Sequence, residues 1–262
     1  MRNLGLISPE MASTIYTEIC DARIKKQPIP KMEFSFYDKI EEPEYIDTSK
    51  KYKNLVINKV IEIIRDNMDY IDDKTLNAIL SNISTIKIYS KKLNTPINGE
   101  YKTKGNIMVL NNLKSIYHEC LHLASSEYDP YTDTSYSGFR VTNHSVPPHM
   151  INDKGVGFNE GYTQYQAMGY GDSAKLYLYE AKIASRLEKI IGKDKLKPLY
   201  FSHNLLGLCK EIEKHFEPND AANIISGLDY ISYCRSSIYL QIRKAKEIEE
   251  KKKMINLSMK RI

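Results

Sequence analysis

The sequence predicts an α+β fold, in which a small sheet precedes a central helix and a mostly helical part follows it. Apolar residues alternate over 85–89 and form a short run at the end of 105–110, and both patterns indicate strands. Apolar stripes with helical spacing occupy residues 49–83 and return after residue 155. With 262 residues the chain is long enough to bury a substantial core.

The N-terminal part is predicted to be a helix followed by an irregular arm. Ser8 and Pro9 indicate a helix start, because Ser favours the N-cap and Pro the first helical position. Prolines punctuate residues 28–48, which we interpret as an arm around the body, with a pro-segment as the alternative. We therefore expect three parts: a helix and arm over 1–48, a core over 49–170 and a helical subdomain over 171–262.

The core begins with two helices and a few strands. One helix is expected from Ser49, and a shorter one from Asp72-Asp73. Asn98-Gly99 indicates a turn before the strands that end at residue 110. The next helix is expected over about residues 112–126.

A long polar connection follows that helix, with a short strand expected at Phe139–Val141. Another helix is predicted to begin near Gly155. Further helices are expected over 172–191, 194–216 and 218–250, the last of them broken near Gly227, and the charged C-terminal stretch is expected to fray.

The central helix carries His118-Glu119-x-x-His122. Residues i and i+4 lie on one helix face, so the two imidazoles can converge on one metal ion. The carboxylate at i+1 lies beside them, within reach of a metal-bound water. This spacing predicts two zinc ligands, His118 and His122, and a general base, Glu119.

A catalytic zinc needs a third protein ligand. Glu160 is the favoured candidate, since it opens the next predicted helix between Gly157 and Gly161, and glycines allow two helices to approach closely. His144 and His149 remain alternative third ligands. Acidic residues just after His122 lie at or beyond the helix end, out of phase with the histidine face.

The two motifs together resemble the gluzincin class of zinc metallopeptidases. HECLH is followed by Gly-Phe-Asn-Glu-Gly-Tyr-Thr-Gln-Tyr, which is similar to small bacterial members whose second motif reads roughly N-E-G-x-T-E-Y. The resemblance covers about residues 100–170. It implies a zincin-like fold and one zinc ion, held by His118, His122 and Glu160. Gln164 departs from the pattern, because an acidic residue often stands there and hydrogen-bonds a ligand histidine.

The metzincin class is excluded. Its pattern HExxHxxGxxH requires a glycine and a third histidine, but this chain has Ser125 and Tyr128 at those positions.

The expected reaction is hydrolysis of a peptide bond. Zinc polarises a water and the substrate carbonyl, and Glu119 moves a proton from the water to the leaving amine. The oxyanion that forms on the substrate carbonyl also needs a hydrogen-bond donor. The candidates are Tyr162, His144, Tyr136, Tyr165 and His149. We expect the strand at 105–110 to be the sheet edge that pairs with an extended peptide.

Composition limits the other classes of function. The net charge of +5 is mild and spread along the chain, so we expect no nucleic-acid partner. Four dispersed cysteines without a CxxC pair suit a reducing compartment. Without a signal peptide or transmembrane pattern, the expectation is a cytoplasmic protein with a peptide or protein substrate and no membrane association. Non-classical export stays open.

Two alternative functions remain. One is a zincin-fold regulatory or interaction protein that acts on a single partner. The other is an effector protease exported without a signal peptide.

Overall fold

The computed structural model describes residues 25, 49–90, 98–146, 153–235, 249 and 251–259. The predicted helix start at Ser8 and the arm over 28–48 lie outside these residues. The chain divides into two compact units, Met1–Glu127 with Ala167–Ala174, and Tyr128–Gln166 with Lys175–Ile262. Helices and two small sheets make up the described part, which confirms the α+β class. The three-part domain division stays a prediction.

The first unit contains three helices and a three-stranded sheet. In chain order they are α1 (Ser49–Asp66), α2 (Asp73–Thr85), β1 (Lys87–Ser90), β2 (Gly99–Lys102), β3 (Ile107–Leu110) and α3 (Ile116–Ala124). Short 3-10 turns at Met68–Tyr70 and Leu113–Ser115 precede α2 and α3.

Helix α3 is the centre of this unit. All nine of its residues are buried, including the charged and polar ones. Helices α1 and α2 pack against it through the apolar stripes that the sequence predicted. Helix α2 begins as expected, because Asp72 caps it by accepting a hydrogen bond of 2.7 Å from the Thr75 amide.

The first sheet has the strand order β1-β3-β2. Strand β3 pairs in parallel with β1 and antiparallel with β2. The prediction that the strand at 105–110 is a sheet edge is therefore wrong, because both sides of β3 are already hydrogen-bonded. Among the described residues, β2 is the edge strand on the antiparallel side.

The predicted turn at Asn98-Gly99 is also wrong. Gly99 is the first residue of β2, and the Asn98 carbonyl accepts hydrogen bonds from the amides of Asn111 and Asn112. Asn112 further donates to the Asn98 side chain at 2.6 Å. Tertiary hydrogen bonds thus hold this dipeptide in an extended arrangement despite its local turn preference.

Two polar clusters fix α3 in the first unit. At its C-terminal end, the Asn82 side chain on α2 donates to the carbonyls of Leu123 and Ser126 at 3.2 and 2.7 Å. On α3 itself, the Tyr117 hydroxyl lies between Lys59 and Glu62 of α1, donating to the Glu62 carboxylate at 2.8 Å. These bonds link both flanking helices to the helix that carries the histidines.

The second unit contains a four-stranded sheet, five helices and a further helical stretch at residues 251–258 among its described residues. The strands are β4 (Ser126–Asp129), β5 (Thr134–Ser137), β6 (Arg140–Asn143) and β7 (Asp153–Lys154), in that spatial order. The helices are α4 (Val156–Gly169), α5 (Leu178–Ile191), α6 (Lys193–Phe201), α7 (Leu205–Glu213) and α8 (Asp220–Arg235). The predicted short strand at Phe139–Val141 corresponds to β6.

Three details of the helical part differ from prediction. The helix expected over 194–216 is interrupted, and His203 there has a positive φ of 58°. Helix α8 continues through Gly227 instead of breaking.

Residues 251–258 are helical, and Ile255 packs closely against Gly227. A Cβ added to Gly227 would lie 3.0 Å from the Ile255 side chain. Gly227 therefore serves a close contact, and the C-terminal stretch is held by burial of Ile255 and Met259.

Within the described residues, no helix combines the length and apolar character that crossing a membrane requires.

Candidate metal centre

His118 and His122 face each other across one turn of α3. Their Nε2 atoms are 3.0 Å apart and their ring planes are inclined at 78°. Both side chains are buried. Two imidazole nitrogens that share a tetrahedral zinc lie about 3.3 Å apart, given zinc–nitrogen bonds of about 2.0–2.1 Å. The observed pair therefore needs only a small adjustment to bind one ion.

Glu160 completes a group of three potential ligands. One ligand atom each from His118, His122 and Glu160 lies within 4.8 Å of the other two, and all three residues are buried. Burying a carboxylate is costly unless it is paired with a positive charge or a metal. This buried group could hold a metal ion. His144 is not part of it, and His149 lies outside the described residues.

Glu119 is buried next to His118 and is bordered by the edge strand β2. A Cβ added to Gly99 would lie 2.9 Å from Glu119 Cγ and 3.1 Å from its Oε1. Gly99 is thus a site residue that the sequence reasoning missed, since Asn-Gly pointed instead to a turn. The absence of a side chain at Gly99 makes room for the carboxylate of the candidate base.

Asp172 is a second residue that the sequence reasoning missed. Its carboxylate accepts hydrogen bonds from the backbone amides of His118 at 2.8 Å and Tyr117 at 3.3 Å, at the start of α3. Burial raises the pKa of Asp172, although these two amides oppose the rise. An acidic residue in a loop carries no sequence signal for such a role, because the chain neighbours of Asp172 do not reveal its partner. Asp172 fixes the position of His118 through the backbone.

Helix α4, which carries Glu160, is held within the second unit by glycine contacts. A Cβ on Gly157 would lie 2.2 Å from the Leu228 backbone, and one on Gly161 would lie 2.5 Å from the Glu180 backbone. The Asp229 carboxylate accepts hydrogen bonds from the Gly157 amide and the preceding turn, at 2.9 and 2.8 Å. The two glycines beside Glu160 therefore allow α4 to pack closely against α8 and α5.

Gly161→Ala is expected to destabilise the protein by about 1–3 kcal/mol, because the new methyl group would overlap the backbone of α5. Gly169→Ala is the matched control, since Gly169 ends the same helix and an added Cβ would meet no atom within 4 Å. We expect that control to leave stability unchanged or slightly raised. Urea unfolding measures both variants, and equal stability of the two would contradict the packing described for α4.

Two of the candidate oxyanion donors, Tyr162 and Tyr165, already donate hydrogen bonds within the protein. The Tyr162 hydroxyl is buried and donates to the Glu188 carboxylate at 2.5 Å, and Tyr165 donates to the same carboxylate at 3.1 Å. Burial, reinforced by Glu188, raises the pKa of Tyr162 well above its ordinary value. Tyr162 also packs against Phe139 with ring centroids 5.6 Å apart. These contacts fit a structural role for Tyr162.

The other candidates lie at the second sheet. His144 Nε2 is 2.7 Å from the Ser135 hydroxyl oxygen, and Tyr136 lies opposite Val141 in the pairing of β5 with β6. A catalytic role for His144 stays a prediction. Gln164, which stands where the gluzincin pattern often has an acidic residue, is buried.

No protein-family model, curated protein or solved structure matches the chain.

Proposed function

We propose that this protein is a zinc-dependent peptidase of the gluzincin type. The proposal rests on one observation above the others, the buried group of His118, His122 and Glu160 with ligand atoms within 4.8 Å. The donor chemistry supports zinc, because two imidazoles and one carboxylate are a common ligand set of catalytic zinc.

Three protein ligands leave one coordination position for water or substrate, which distinguishes a catalytic zinc site from a structural one. When bound, zinc would lower the pKa of a water molecule and polarise a substrate carbonyl. Both effects suit the hydrolysis of an amide.

Glu119 supplies the proton transfer in this proposal. Its position directly after His118 places it beside the ligand face of α3, with Gly99 leaving space for its carboxylate. As the water attacks the carbonyl carbon, the carboxylate accepts one of its protons. The same proton then goes to the leaving amine as the carbon–nitrogen bond breaks.

Strand β2 is the proposed place for the substrate backbone. It is the antiparallel edge of the first sheet among the described residues, and its first residue, Gly99, borders Glu119. An extended peptide can add to such an edge through main-chain hydrogen bonds. This moves the substrate-pairing role from β3, where the sequence pointed, to β2.

The proposal is tested by the zinc content and peptidase activity of the purified protein. We expect one zinc per chain by elemental analysis. We also expect cleavage of a mixed peptide library, with the cleaved bonds identified by mass spectrometry. Protein without stoichiometric zinc, or zinc-loaded protein that cleaves none of the peptides, would contradict it.

A further inference from the structure

Arg140 on β6 is held rigidly by one edge of its guanidinium group. Its Nη2 donates to Asp153 at 2.9 Å, and its Nε donates to Asp153 at 3.3 Å and to the Thr142 hydroxyl at 3.2 Å. Thr142 in turn donates to the Asp153 carboxylate. The register of β6 with β7 sets this arrangement, because Thr142 lies opposite Asp153.

The start of β6 is fixed next to the metal ligand Glu160. The Phe139 amide donates to the Asn159 side chain at 3.0 Å, so the neighbours of Arg140 and Glu160 are hydrogen-bonded to each other. Gly138 has a positive φ of 54°, and a Cβ there would lie 2.3 Å from the Asn159 side chain. The turn before Arg140 is therefore pressed against the start of α4.

The charges of Asp153 and Glu160 favour the protonated form of Arg140 at this position. Burial disfavours the charge on Arg140, but Asp153 and, more weakly, Glu160 raise its pKa, so the guanidinium stays protonated. Arg140 retains an exposed fraction of 36%. Among the described residues, its Nη1 has no hydrogen-bond partner. The end of the guanidinium formed by Nη1 and the second proton of Nη2 is thus a preorganised fork for an anion.

We propose that Arg140 is a specificity residue that binds a carboxylate of the peptide substrate, an inference that rests on the proposed peptidase function. A carboxylate matches the planar fork of a guanidinium and can accept two parallel hydrogen bonds. It has two sources in a peptide, the C-terminal carboxylate or an Asp or Glu side chain. A C-terminal carboxylate bound beside Glu160 would direct cleavage to a bond near the end of the chain.

The test measures, by calorimetry, the binding of three acetylated peptides that share one backbone. The protein is zinc-loaded Glu119→Gln, whose slowed hydrolysis leaves the peptides intact during the measurement. One peptide ends in a free carboxylate, one in an amide, and one in an amide with an internal Asp. We expect one carboxylate-bearing peptide to bind about tenfold tighter than the neutral amide. The peptide that shows the preference identifies the source of the carboxylate.

Adding Arg140→Gln should abolish that preference, and Arg140→Lys should retain only part of it, since Lys keeps the charge but lacks the fork. Arg65→Gln is the matched control, because Arg65 is also 36% exposed and bonds an Asp carboxylate through Nε at 3.1 Å. Circular dichroism verifies that each variant is folded.

Two results would overturn the role of Arg140. One is that no carboxylate-bearing peptide binds better than the amide, and the other is a preference that survives Arg140→Gln. Neither result depends on hydrolysis. Failure of the proposed function appears separately, as missing zinc or missing cleavage by the wild-type protein.

Discussion

Glu119→Gln is expected to slow peptide hydrolysis strongly while leaving one zinc bound. The amide has nearly the same shape as the carboxylate, so it fits the space that Gly99 leaves, but it cannot accept a proton from water. General-base catalysis contributes about 10²–10⁴-fold to the rate, and we expect a loss of this order in kcat. Initial rates on a peptide that the wild-type protein cleaves measure the effect.

Glu127→Gln is the matched control for this variant. Glu127 lies just beyond α3, and its carboxylate is 3.8 Å from Lys74 at the surface. We expect activity close to that of the wild-type protein. Undiminished hydrolysis by Glu119→Gln would remove Glu119 from the mechanism, and loss of zinc from that variant would show that it supports the metal instead.

Removing any one of the three ligands should weaken zinc binding by at least about 100-fold, because even outer partners of a zinc ligand are worth about 10- to 100-fold. His118→Ala, His122→Ala and Glu160→Gln are the variants, and competition with a coloured chelator measures their affinity. Loss of the ion should also remove the stabilisation by zinc, which is about 2.7 kcal/mol at a free zinc concentration 100 times Kd.

His144→Ala is the control variant for the two histidine substitutions, because it removes a histidine outside the proposed ligand group. His144 hydrogen-bonds Ser135 and was one of the two alternative third ligands in the sequence analysis. We expect wild-type zinc affinity from it. Weak binding by His144→Ala together with normal binding by Glu160→Gln would replace Glu160 with His144 as the third ligand.

Local sequence spacing was sufficient to predict that His118 and His122 lie together. The i, i+4 spacing of His118 and His122 places them on one face of any helix, whatever surrounds it. Glu160 was favoured because it opens the next predicted helix and because its motif resembles the second motif of the gluzincins. The helices α1 and α2 were likewise predictable, because their apolar stripes and the Asp72 cap act within a few residues.

Features that depend on distant residues could not be predicted in the same way. Strand order is decided by pairing across the chain, so the central place of β3 has no local signature. Gly227 suggested a helix break, yet it is needed for the contact with Ile255, which lies in the helical residues 251–258 near the C-terminus. Asp172 acts on the start of α3 from more than fifty residues away in the sequence.

The most direct test of the account is a zinc-edge anomalous difference map from a crystal of the zinc-loaded protein. We predict a single strong peak within about 2.0–2.2 Å of one nitrogen each from His118 and His122 and of a Glu160 carboxylate oxygen. A peak bound by other residues, or a peak that lacks Glu160, would contradict the central claim that these three side chains form the metal centre.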